Sequence, residues 1–91
     1  MANVVHHKFS WAGPNFLPGT EMAWWFGPVA VNAVMHVTAI PTVENDNELL
    51  VKDARVRRYL GLHGWRFLFT VRNTGPNRIA SYNVLFSVVT P

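Results

Sequence analysis

The chain has 91 residues and no cysteine, which implies one small domain with no disulfide reinforcement and no thiolate for a metal or redox centre. Eight Lys and Arg against five Asp and Glu give a formal charge of +3, a basic balance that keeps nucleic acid among the candidate partners. Charged residues make up 14% and aromatics 13%, with four tryptophans, whereas a soluble domain averages about 25% charge. Too little charge with surplus aromatics predicts a surface covered by another copy or a ligand, so a homo-oligomer is expected. The opening MANVVHHKFSW has no apolar stretch after a basic start, and no apolar run approaches a membrane span. The sequence therefore reads as a soluble chain with no evident signal peptide, cytoplasmic by default, and does not fix the compartment.

In residues 3–11, Val5, His7, Phe9 and Trp11 alternate with Val4, His6, Lys8 and Ser10, which predicts a first strand. Residues 12–19 hold two prolines and two glycines and predict a loop, with Phe16 and Leu17 capping an end of the core. Residues 20–26 predict a second strand, closed by Gly27-Pro28. Adjacent Trp24 and Trp25 must then point to opposite faces, so one of them leaves the core and marks an interface or ligand surface.

Residues 29–40, bracketed by prolines, predict a third strand with Val31, Ala33, Met35, Val37 and Ala39 inward. A polar turn follows at 41–48. Residues 49–60 fit a strand better than a helix, with Ala54 and Val56 inward, Arg55 and Arg57 outward, and a bulge needed to bring Leu49 to Val51 into register. After a turn at 61–64, two alternating runs flank Asn73-Thr74-Gly75-Pro76-Asn77. One places Trp65, Phe67, Phe69 and Val71 on a face, the other Tyr82, Val84, Phe86 and Val88. These two runs are expected to pair as an antiparallel hairpin. The whole reads as a single all-β domain over residues 1–91, a small antiparallel β-sandwich of about six to seven strands.

The run Phe67-Leu68-Phe69-Thr70-Val71-Arg72-Asn73-Thr74-Gly75, followed by Tyr82-Asn83-Val84, resembles Ig-like sandwich modules of the CARDB and fibronectin types. In such modules a strand ending in Val-x-Asn-x-Gly turns into one entered by an aromatic residue. The resemblance covers residues 65–89 and implies a binding or adhesive module rather than an enzyme.

Catalytic patterns are missing from the sequence. The serines lack a nucleophile elbow, glycine-rich phosphate loops are absent, and carboxylates outside 44–48 are limited to Glu21 and Asp53. His6 and His7 point to opposite faces of a strand, no chelating histidine spacing occurs, and no cofactor or metal is expected. A non-catalytic binding or structural module is expected, with a small enzyme the lesser alternative, and two binding readings stand out. Trp11, Trp24, Trp25 and Trp65, beside Asn15, Asn32 and His63, supply the residue types of a lectin-like carbohydrate site, with self-association adding avidity. Alternatively, all six arginines lie between 55 and 78; Arg66 and Arg72 share one strand face, and Arg55 and Arg57 another. If those strands are neighbours, the four form an anion-binding or nucleic-acid-binding surface. Cross-strand salt bridges on a solvated face are the commoner fate of such residues.

Overall fold

The structure is a computed structural model and describes residues 3–29, 33–42, 47–58 and 65–90. Six strands appear among them: β1 (Asn3–Phe16), β2 (Glu21–Val29), β3 (Val34–Pro41), β4 (Leu49–Arg58), β5 (Trp65–Asn73) and β6 (Ile79–Thr90). They form two three-stranded antiparallel sheets, ordered β1-β6-β3 and β2-β5-β4. The expected all-β sandwich is thus the observed fold. Residues 49–58 are strand, not helix.

β5 and β6 are the centres of opposite sheets, and so they do not pair with each other as the hairpin reading expected. Their inward faces meet across the core. Phe67, Phe69 and Val71 from one pack with Tyr82, Val84 and Phe86 from the other, joined by Phe16, Ile79 and Ala39. The physical cause lies at Asn73, which sits on the core-facing parity of β5 and is fully buried. Its Nδ2 donates to the carbonyl oxygens of Phe16 and Asn77, both at 2.8 Å, and its Oδ1 accepts from Gly75 N at 3.1 Å. Its own N–H donates to Thr20 O, and its carbonyl accepts from Gly19 N. A saturated asparagine therefore folds the chain into an arch over the end of the core, instead of a tight turn within one sheet.

The arch is also fastened to the start of β4, where Thr74 donates from N to Glu48 O and from Oγ1 to Glu48 Oε1. Gly75 lies so close to this strand that a Cβ there would stand 2.7 Å from Glu48 N. We expect Gly75→Ala to lower stability by about 1–3 kcal/mol, read as a reduced denaturation midpoint at unchanged slope.

β1 runs on to Phe16, through a register shift between Ala12 and Phe16, where a loop was expected. The irregular pairing absorbs the glycine and proline, and Phe16 enters the core. Leu17, expected to cap the core, is half exposed because it opens a tight turn with Pro18 second and Gly19 third (φ 81°). Thr20 N donates to Leu17 O across it, a type II arrangement. Likewise β2 does not stop at Gly27-Pro28. A register shift there carries it on to Val29, opposite Trp65.

In β4 the expected bulge falls between Lys52 and Arg55, and Asp53 takes a positive φ of 56° within it, a conformation aspartate tolerates better than most residues. Leu49 and Val51 pack against the core. Val56 stands opposite the core residue Phe67 yet is half exposed, and Ala54 is exposed, because the packing thins toward that end of the sheet. In β3, Met35, Val37 and Ala39 face inward as expected, whereas Val31 and Asn32 lie outside the described residues.

Candidate functional site

Trp11 and Trp24 meet at Tyr82, but the four tryptophans do not share one surface. Trp11 packs on Phe16 and Tyr82, with ring centroids 5.7 and 5.3 Å apart. Trp24 stacks on Phe69 at 6.2 Å and donates from Nε1 to Tyr82 Oη at 2.8 Å. Trp65 begins β5 on the core-facing parity and is half-buried. Asn15 is exposed at the far end of β1 and accepts from Arg78. His63 and Asn32 fall outside the described residues. Only Trp25 turns outward, with 60% of its surface exposed. The described members of the lectin-like set are therefore divided between the core and the surface, because strand parity divides neighbouring tryptophans between faces.

Tyr82 is the polar centre of the core: its hydroxyl accepts from Trp24 and donates to Met22 Sδ at 2.9 Å. Burial raises its pKa above the usual phenol value near 10, against the smaller opposing effect of the Trp24 hydrogen bond. Because the folded state holds the proton more tightly, this contribution is intact below about pH 10 and is lost as pH rises toward the folded value. Phenolate absorbance at alkaline pH should thus grow together with loss of near-ultraviolet circular dichroism. Tyr82→Phe should remove that coupling and cost about 1 kcal/mol at neutral pH.

The outer face of the β2-β5-β4 sheet collects the remaining candidates. Register places Trp25, Leu68 and Arg55 in one row across the three strands, and Arg66 opposite Arg57 in the next. The Arg66 guanidinium lies 4.2 Å from the centroid of the Trp25 ring, a cation–π contact. Arg55 donates to Asp53 O at 2.8 Å across the β4 bulge, which folds its guanidinium back over its own strand.

At the other end of the same face, Glu21 receives Lys52 Nζ at 2.5 Å and Arg72 at 3.2 Å. The Lys52 hydrogen bond is the main reason that the Glu21 carboxyl is held below its ordinary value. All four arginines expected to share a face do so, but Arg72 is drawn into this ion-pair group, two rows from Arg55. The group's contribution to stability is present above the ordinary carboxylate range and disappears as pH falls through the lowered value. Glu21→Gln should abolish that acid-side dependence and leave one more positive charge on the face, checked by denaturation between about pH 7 and pH 3.

Among the described residues no group of three or more His, Asp or Glu is placed to hold a metal ion, and no helix is long and apolar enough to cross a membrane. Comparison with protein-family models, curated proteins and solved structures gives no significant match to this chain.

Proposed function

We propose that the chain is a binding module for single-stranded nucleic acid, which it engages through the outer face of the β2-β5-β4 sheet. The observation that carries this reading is the outward Trp25 set among Arg55, Arg57 and Arg66 in two adjacent rows. A flat sheet face with an exposed indole offers a stacking platform that any base can use, and guanidiniums beside it suit phosphate oxygens. The rows also hold two arginines directly opposite each other. A phosphate between Arg57 and Arg66 would meet both guanidiniums at once.

The glycan reading is less well supported by the same geometry. Sugar hydroxyls call for amides and carboxylates beside the ring, and the Trp25 row supplies Leu68 and Arg55 instead. Self-association belongs to the proposal as well. Among the described residues β1, β2, β3 and β4 each have one edge without a strand partner, and β1 offers 14 residues of it with Lys8 as its one Lys or Arg. Light scattering on a sizing column should give a mass of at least twice 10.3 kDa; a strict monomer would remove this part of the proposal.

The deciding experiment titrates the protein with oligothymidylate and follows tryptophan fluorescence across a salt series. Quenching by stacking on Trp25 is expected, with affinity falling as salt rises. Three arginine–phosphate contacts predict a logarithmic slope of about −2. Binding absent at low salt would overturn the reading. Binding to a glycan array with no salt dependence would replace it with the carbohydrate one.

A further inference from the structure

The opposite face of the sandwich carries a second constellation, which sequence parity alone does not reveal. In the β1-β6-β3 sheet, His6 is in register with Ser87, and Ser87 with His36, so the three side chains form a line across the strands. His6 Nδ1 and Ser87 Oγ are 2.6 Å apart. The next row is Lys8, Leu85 and Thr38. Together these residues line a depression of about 510 Å³. Its polar lining is three histidines (His6, His7 and His36), the hydroxyls of Thr38 and Ser87 and the Lys8 ammonium, and no carboxylate lines it. Leu85 and Ile40 supply exposed apolar surface beside them.

We propose that this depression binds a small organic oxyanion, a carboxylate or phosphate monoester attached to an apolar body. A set rich in donors and free of carboxylates repels nothing in an anion and gives a divalent cation no charged ligand, while Lys8 opposes a cation directly. The apolar neighbours suit the body of the ligand. The proposal does not depend on the nucleic-acid reading, which concerns the other sheet.

The His6–Ser87 hydrogen bond gives the site a proton-linked response. With His6 neutral and Nδ1 as the acceptor, the Ser87 hydroxyl donates to the ring and is spent. With His6 protonated, Nδ1 donates to Ser87 Oγ, and the hydroxyl proton turns free to reach the anion. The titratable groups around this bond are Lys8 and His7 on β1 and His36 on β3. β6 contributes none, and no Asp or Glu stands on this face among the described residues. Acidification therefore adds positive charge and a donor at once.

The test is a titration with phenyl phosphate and benzoate, following the imidazole resonances of His6 and His36 by NMR. Both should shift, with affinity about tenfold higher in mildly acidic than in mildly alkaline buffer. Ser87→Ala and His36→Gln should each weaken binding about tenfold, and His6→Gln should remove most of the pH response. All three positions face outward from the core, so the backbone amide spectrum should report an intact fold in each variant. Unshifted imidazoles in the folded protein overturn the proposal. So does inorganic phosphate binding as tightly as phenyl phosphate, or zinc ion shifting these resonances when neither organic anion does.

Discussion

Replacing Asn73 with alanine should lower the stability of this domain by about 3 kcal/mol, the largest single-residue loss expected outside the aromatic core. The side chain satisfies two carbonyls and one amide N–H around a buried position. Each buried group left without a partner costs about 1–3 kcal/mol. For a domain this size that is a fall in Tm of roughly 15 °C. Asn73→Asp separates hydrogen bonding from shape. It keeps an acceptor for Gly75 N, but it turns an anionic oxygen toward the carbonyls of Phe16 and Asn77. At neutral pH it should be at least as damaging as alanine. An aspartate variant as stable as the native chain would sink the account of the arch given above.

Arg57→Glu should weaken oligothymidylate binding by roughly a hundredfold while the chain still folds, because position 57 is exposed on the outer face. The variant removes a charge-assisted contact and sets a carboxylate in the path of the phosphates, together worth about 3 kcal/mol. The new glutamate stands opposite Arg66 in the β4–β5 register, where it competes with phosphate for that guanidinium. An unchanged near-ultraviolet circular dichroism spectrum of the variant separates lost binding from unfolding. Trp25→Ala should cost about 1–3 kcal/mol of affinity through lost stacking and flatten the fluorescence response. Unchanged affinity in both variants would remove this face from consideration.

What the sequence made legible was strand parity. The alternation in 65–72 and 81–88 identified the inward residues of both central strands. The Trp24-Trp25 doublet announced that one indole must leave the core. Neighbours across a sheet were not legible, because alternation is the same whichever strand lies alongside. The turn at 73–77 signalled a reversal of the chain without saying whether it stayed in one sheet. The available clue was Asn73 itself: counting by twos from Trp65 puts a polar residue at a core position, and a buried amide needs partners that a plain hairpin does not provide. The His6, Ser87 and His36 row was hidden for the same reason. It exists only because β1 and β3 both flank β6. The arginines of 55–72 could be assigned to a common face only once β4 and β5 were known to be neighbours.

The placement of β6 bears on how the molecule comes into being. It is the last of the six strands in chain order and the middle of its sheet, where Asn3 meets Thr90 and Val34 meets Val89. During synthesis β1 and β3 therefore emerge before the strand that joins them and wait with open edges until residues 79–90 have left the ribosome. Loop closure over such separations is slow, and refolding on the millisecond-to-second scale is expected. A nascent chain halted before Ile79 holds two thirds of this sheet and nothing to join them, which makes that interval the point at which it most needs a chaperone.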